Sequence, residues 1–339
     1  MITAIIDEPT IERLRNMING ARRIAITCHK SPDGDALGSS LALCHVLRRL
    51  GKDATVVTPD MAPKSLEFIP GVRELVVFTR QEVRARRVLE EAQLICCLDY
   101  NALQRVDRLG DIIAPLNTPL VLIDHHLGGD LRQFAAAVSF PEASSTCELV
   151  YRVLLQLGLA RLIDRQAASC LYVGLLTDTG GFAYSCDNPE FYEVVAALLR
   201  RRIDRLGLYN KALDTFSETS LRLQGYALSE KMRLLPDKGC SLIVLDKAEL
   251  ERFNYSRGDT ETLVNRPLAI PGIYWSVFMR EDADHIKVSC RSRGDFSVSD
   301  ICERYFNGGG HQNAAGGELH CSIDEATALF ERVLADLFP

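Results

Sequence analysis

Acids and histidines that follow short apolar runs are the residues here best suited to chemistry. In TCHKSPDGDALGSS, residues 27–40, His29, Asp33 and Asp35 come directly after the run Ile24 to Cys28. The run LICCLD ends on Asp99, and PLVLIDHH ends on Asp124, His125 and His126. Asp-Gly-Asp by itself has an ordinary explanation, because Asp suits both a turn and a helix N-cap. Its recurrence beside two further runs that end in the same residue types points instead to a divalent-cation site. Carboxylates and imidazoles without thiolates suit ions such as Mn²⁺ and argue against structural zinc.

A second chemical stretch is RSRGDFSVSDICERYFNGGGHQNAAGG. Arg291, Ser292 and Arg293 close an expected strand, and Gly308, Gly309 and Gly310 precede His311 and a small-residue run, Ala314 to Gly317. Glycine lets backbone N–H groups approach an anion closely, and a helix starting after it would add a favourable dipole. This pattern predicts a phosphate cradle, with Arg291 suited to a bidentate phosphate contact and His311 to donating a hydrogen bond. Arg293 is expected to be solvated.

The elements that must position these groups alternate. Strands are expected at Ile24 to Cys28, Ala54 to Thr58, Leu75 to Thr79, Leu94 to Asp99 and Pro119 to Asp124. Helices are expected at Pro9 to Asn19, Ala36 to Leu50 and Gln81 to Glu91, with a short helical piece at Leu103 to Leu109. Ser144 to Thr146 offers an N-cap for a helix to Leu157, and another helix capped by Asp164 ends at Asp178. Nearly all-apolar strands separated by helices indicate an α/β fold with a parallel sheet covered on both faces. The acids then crowd the C-terminal ends of strands, where open α/β sheets bind ligands.

After Asp178 the composition changes. Pro189 to Arg202 is amphipathic and finishes with Arg200, Arg201, Arg202 and Arg205, a pattern expected of a solvated helix end and linker. A helix from Ser217 to Leu235 is expected to open a second, smaller α/β domain with a mixed sheet. Its strands are placed at Cys240 to Leu245, Tyr274 to Arg280 and His285 to Arg291, its helices at Val298 to Phe306 and Asp324 to Leu337. The expected organisation is a metal-binding domain over 1–190, linker helices over 191–225 and a substrate domain over 226–339, with the active site in the cleft between domains.

Composition bounds the function. The chain has 339 residues, 47% hydrophobic and 25% charged, enough to bury two cores. A net charge of −6 argues against a broad cationic surface for long duplex nucleic acid but leaves short anionic substrates open. The sequence lacks a secretory start, and no apolar run approaches the ~20 residues that span a bilayer, so a cytoplasmic protein without membrane attachment is expected. Eleven cysteines without CxxC pairs read as small core residues in a reducing compartment, Cys28 beside His29 included.

Taken together, CHKSPDGDALGSS, Asp99, the triplet Asp124–His125–His126, TDTGGF around Asp178, and RS plus GGGHQNAAG resemble the DHH phosphoesterases. The resemblance extends over nearly the whole chain and is nearest to the subfamily of short-oligonucleotide ribonucleases that also hydrolyse 3′-phosphoadenosine 5′-phosphate. It implies two Mn²⁺ ions, with Mg²⁺ or Co²⁺ as substitutes: His29 and Asp33 for the first, Asp35, His125 and Asp178 for the second, and Asp99 bridging both. It further implies that Asp124 orients a metal-ligating histidine, that His126 faces the substrate phosphate, and that Arg291, Ser292, Gly309, Gly310 and His311 bind substrate. Catalysis would fall to His126, Asp99 and Asp124, with the two domains closing about residues 178–209. Asn307 departs from the pattern, since the family commonly carries another glycine there.

Four alternatives stand beside this reading. A family II pyrophosphatase would lack GGGHQNAAG, and a RecJ-type exonuclease would be longer. A cyclic-dinucleotide or linear dinucleotide phosphodiesterase (pApA or pGpG) shares both domains and stays open. A nucleotide-binding protein on an inactive DHH fold would have lost a ligand, and every expected ligand is present. No motif decides for or against a homodimer.

Overall fold

Five apolar strands expected from the sequence set the frame of the computed structural model, which describes residues 2–256, 258–260 and 262–338. Two compact units divide the chain, Met1–Thr215 and Phe216–Pro339.

In the first unit the strands are β1 (Arg23–Thr27), β2 (Asp53–Thr58), β3 (Val76–Val77), β4 (Leu94–Leu98), β5 (Leu120–Asp124) and β6 (Ala136–Ser139). All neighbours pair in parallel, in the order β3-β2-β1-β4-β5-β6. Parallel strands need crossovers, and helices supply them on both faces. On one face lie α1 (Glu8–Gly20), α2 (Gly34–Arg49), α5 (Thr146–Gln156) and α6 (Arg165–Asp178), where Leu37, Leu47, Leu154 and Leu171 share a core with Ile26 and Cys96. On the other lie α3 (Phe78–Glu90) and α4 (Arg108–Ile113), whose Leu89 and Leu109 meet Ala25, Ile95 and Leu122. Strand order reverses between β1 and β4, so the loops after these two strands diverge and leave the crevice in which such sheets bind ligands.

Helices α2 and α6 cross closely because the contact residues are small. A Cβ on Gly38 would fall 2.6 Å from Cys170 O, and one on Gly174 would fall 2.2 Å from Cys147 Sγ. Two further helices, α7 (Pro189–Leu199) and α8 (Arg205–Leu213), belong to this unit, and Arg200, Arg201, Arg202 and Arg205 are exposed there. Strand β6 was not foreseen. The strand expected over Leu75 to Thr79 shrinks to the two residues of β3, because Phe78 already opens α3, which kinks at Gln81 (φ −135°).

The second unit contains α9 (Glu218–Tyr226), β7 (Arg233–Leu235), β8 (Cys240–Leu245), α10 (Lys247–Arg252), β9 (Trp275–Glu281), β10 (Ile286–Ser292), α11 (Val298–Tyr305), β11 (Gly308–His311), β12 (Ala314–Leu319) and α12 (Ile323–Leu337). Its sheet runs β11-β12-β10-β9-β8-β7, with β8 and β9 parallel and the other pairs antiparallel. Alternate residues Val277, Met279, Val288 and Cys290 face a core completed by Val298 of α11 and Phe330 of α12. The opposite face of β8 and β9 is covered separately, Ile243, Leu245 and Phe278 packing with Leu223, Leu250 and Leu263.

The helix expected to run from Ser217 to Leu235 stops at Tyr226, unwinds through a π turn at Ala227–Lys231 and becomes β7. Pro236 and left-handed Gly239 (φ +57°) form the turn that returns β7 onto β8, and this pairing overrides the helical pattern. All eleven cysteines are free, ten of them buried and Cys321 exposed. Among the described residues no helix is long and apolar enough to cross a membrane.

Candidate metal centre

Each candidate ligand in the first unit stands where a strand or helix ends. The loop after β1 carries His29 and Asp33, and Asp33 also caps α2, its Oδ1 accepting from the Asp35 and Ala36 amides at 3.0 Å. The turn and helix-cap reading of Asp-Gly-Asp therefore holds. Asp35 lies in the first turn of α2, Asp99 directly after β4, Asp124 at the end of β5 with His125 and His126 following, and Asp178 at the end of α6.

Asp99 joins the groups. Its Oδ2 is 3.3 Å from His29 Nε2, which is 3.8 Å from Asp33 Oδ1. Its Oδ1 is 3.7 Å from His125 Nε2, which is 3.9 Å from Asp35 Oδ2 and 3.4 Å from Asp178 Oδ2. One carboxylate thus turns its two oxygens toward two separate nests of donors. Asp99 holds a left-handed backbone (φ +62°), which aspartate tolerates better than most residues. The imidazoles are oriented from behind: His29 Nδ1 meets Lys30 O at 2.8 Å and His125 Nδ1 meets Ala143 O at 3.3 Å. A carbonyl only accepts, so Nδ1 carries a proton in both rings, and Nε2 is the ring atom that faces the carboxylates.

Charge crowding tests whether cations fit. Burial, and then Asp99 and Asp178, push the carboxyl of Asp35 well above the usual carboxylate range. Burial also opposes ionisation of Asp99, but the hydrogen bond to His29 and the surrounding imidazoles outweigh it and hold that carboxyl down. Carboxylates packed this tightly in a buried place call for positive charge, and divalent cations supply it most compactly. The potential ligand groups of this unit combine His29, Asp33 and Asp99; Asp35, Asp99 and His125; and Asp99, Asp124 and His126. No thiol takes part among the described residues, and this oxygen–nitrogen set fits ions of the Mn²⁺ or Mg²⁺ kind. Cys28 beside His29 is fully buried, and burial raises its thiol far above the ordinary range, so it packs rather than reacts.

Asp124 orients His126 rather than His125: its Oδ1 lies 2.7 Å from His126 Nδ1, and its Oδ2 accepts the His126 amide at 3.2 Å. On its far side, His126 Nε2 lies 3.3 Å from an NH2 of Arg105.

Several participants carried no motif. Both oxygens of Asp35 accept backbone amides from the first turn of α5, Thr146 N at 2.7 Å and Cys147 N at 2.8 Å. The Thr146 hydroxyl donates to Asp99 Oδ1 at 3.0 Å. The run Ser144–Ser145–Thr146 signals a helix start in the sequence, and Ser145 is indeed the cap. What the run does not show is that the exposed amides of that helix meet a carboxylate from another loop. Asn101 likewise ties the loop beyond His126, donating to Leu127 O at 2.9 Å and Gly128 O at 3.1 Å.

In the second unit the glycine stretch is strand rather than loop. Gly308–His311 pairs with Ala314–Leu319, and the element that follows His311 is this strand and not a helix, so the expected helix N-terminus does not adjoin the glycines. The glycines serve close packing: a Cβ on Gly308 would fall 1.8 Å from Gly316 O, and one on Gly317 would fall 2.0 Å from Phe306 O. In register, Arg291 and His311 both oppose Ala314, while Gly309 opposes Gly316 beside Ser289, so these half-buried positions share one sheet face. Gly310 opposes Ala315 and Cys290 on the core side. Ser292 is buried, and its hydroxyl donates to Phe296 O, which turns it away from Arg291. Arg293 is exposed, as expected.

A parallel sheet with a switch point beneath a His/Asp cluster defines an α/β protein with a candidate divalent-cation site. Residues 23–175 match the DHH family N-terminal domain and residues 241–336 match the DHHA1 domain. The chain belongs to the DHH family of phosphoesterases. The crystal structure of an exopolyphosphatase-related protein from Bacteroides fragilis superposes with a TM-score of 0.95 at 41% identity, over 98% of both chains. The bifunctional oligoribonuclease and PAP phosphatase NrnA of Thermus thermophilus is 31% identical over 312 residues, 92% of this chain and 88% of that protein. The cyclic-di-AMP phosphodiesterase GdpP of Geobacillus thermodenitrificans is 25% identical over 333 residues, which is 96% of this chain and 49% of that protein.

Proposed function

We propose that this protein hydrolyses short oligoribonucleotides to nucleoside monophosphates and 3′-phosphoadenosine 5′-phosphate to AMP, with two Mn²⁺ ions as cofactors. The observation that carries the reading is Asp99, whose two oxygens face separate His/Asp nests. The similarity to NrnA over nine-tenths of the chain supports the substrate class.

In this reading His29 and Asp33 hold one ion, Asp35, His125 and Asp178 the other, and Asp99 both. Such ions supply Lewis-acid charge that polarises a phosphoryl group and acidifies the attacking water. The protein itself fixes the ligands before substrate arrives. The α5 amides hold Asp35, the Thr146 hydroxyl holds Asp99, and the carbonyls of Lys30 and Ala143 orient the two imidazoles. Asp124 accepts the hydrogen bond from His126 Nδ1–H and so fixes the ring that this reading sets toward the substrate phosphate. Arg291 and His311 offer donors to a substrate phosphate, and pre-aimed donors of this kind stabilise charge that grows in the transition state.

The test is a substrate panel for the Mn²⁺-reconstituted protein: an RNA dinucleotide, a long RNA, 3′-phosphoadenosine 5′-phosphate, cyclic di-AMP and inorganic polyphosphate. Fast conversion of the dinucleotide and the bisphosphate, with slow attack on long RNA, is expected. Preference for cyclic di-AMP or polyphosphate would replace the substrate assignment, and no turnover of any would overturn it.

A further inference from the structure

Arg105 sits in the 3₁₀ turn Leu103–Val106, a few residues after Asp99. Its main chain is structural, since the carbonyl accepts Lys30 N at 2.7 Å and ties this turn to the loop that carries His29. Its half-buried side chain reaches inward, the NH2 lying 3.3 Å from His126 Nε2. A guanidinium only donates, so Nε2 accepts, in agreement with the Nδ1 proton held by Asp124.

The arginine's missing carboxylate is the informative feature. Asp99 lies 3.7 Å from the same imidazole, and acids surround the centre, yet among the described residues Arg105 forms no ion pair. Its turn neighbour differs, since Asp107 pairs with Lys30 at 3.2 Å. A fixed guanidinium at the rim of a metal centre, with donors left over, matches the planar oxygens of a phosphoryl group.

We propose that Arg105 binds a phosphoryl oxygen of the substrate while its NH2 keeps His126 in place. The proposal rests on the phosphoesterase reading of this site but not on which nucleotide is cleaved.

The experiment measures inorganic phosphate binding to the Mn²⁺-loaded wild type, Arg105→Gln, Arg105→Lys and Arg105→Ala by calorimetry, with a Mn²⁺ titration of each. Removing one charge-assisted hydrogen bond should weaken phosphate binding by about 10- to 100-fold in Arg105→Gln, with Arg105→Lys intermediate and Mn²⁺ affinity unchanged. Free guanidinium ion, compared with sodium at equal ionic strength, should restore phosphate binding to Arg105→Ala, a rescue that a merely structural role would not show. Unchanged phosphate affinity in Arg105→Gln, no phosphate binding by the wild type, or a parallel loss of Mn²⁺ affinity would each overturn the proposal. If phosphate affinity falls as expected while neither the dinucleotide nor the bisphosphate is hydrolysed, the substrate assignment fails and the role of Arg105 stands.

Discussion

Gly174→Ala should loosen the metal centre from behind, although alanine is the better helix former. In α6 the exchange gains about 1 kcal/mol of helix propensity. The added Cβ, however, would lie 2.2 Å from Cys147 Sγ and 3.0 Å from Asp35 Oδ1. Ordinary contacts are about 3.5–4.0 Å, so the thiol must retreat by roughly 1.5 Å. Cys147 belongs to the turn whose amides hold Asp35 at 2.7 and 2.8 Å, and both bonds stretch as it moves. Overpacking costs about 1–3 kcal/mol and weakened hydrogen bonds to a charged group about 1.5–3 kcal/mol. The net expectation is a destabilisation of about 2–5 kcal/mol with weaker Mn²⁺ binding. Urea unfolding of Gly174→Ala, Cys147→Ala and the double variant measures it, with Gly225→Ala as control because nothing lies within 4 Å of a Cβ there. Removing the thiol should rescue Gly174→Ala, giving a coupling energy of about 1–3 kcal/mol, whereas Gly225→Ala should stabilise slightly. A Gly174→Ala protein as stable as wild type, or strict additivity with Cys147→Ala, would refute the reasoning.

Thr146→Val removes the hydroxyl that steadies Asp99 but keeps the amide on Asp35. Mn²⁺ affinity should fall about 10- to 100-fold, as for other supporting hydrogen bonds, with little change in unfolding. Asn307 has φ +49°, so Asn307→Gly should fold at least as well as wild type, while Asn307→Val should cost about 1–2 kcal/mol in a thermal melt. The Glu190 carboxyl is pulled down to about 2 by hydrogen bonds from Thr3 and Arg152. Its folded pKa lies below the ordinary 4.5, so its stabilising effect is complete above that pH and disappears as pH falls toward 2. Glu190→Gln should therefore flatten the loss of stability across this window, read from melting temperature against pH.

Legibility in the sequence followed physical pattern. Strands β1, β4 and β5 are unbroken apolar runs buried on both faces, so their ends, and the acids placed there, could be located without the structure. Strand β6, AAVS, is a short run of small residues and gives almost no periodic signal. The GGGH and AAGGEL strands fail for a related reason: with few side chains there is no alternation to read, and glycine suggested a loop where it allowed strands to approach. The departure at Asn307 makes sense in this light, since the position is left-handed and asparagine is among the few residues that accept it. The candidate ligands were legible, but their supports were not. Thr146 opens α5 and Arg105 lies in a 3₁₀ turn, and each meets its partner only in three dimensions.

The most direct test of the account is a Mn²⁺ titration of the metal-stripped wild type and Asp99→Ala. If one carboxylate joins two nests, the wild type binds two ions per chain, and Asp99→Ala weakens both steps by more than about 100-fold, since even supporting residues cost 10- to 100-fold. Two ions bound by Asp99→Ala with wild-type affinity would contradict the shared-ligand centre.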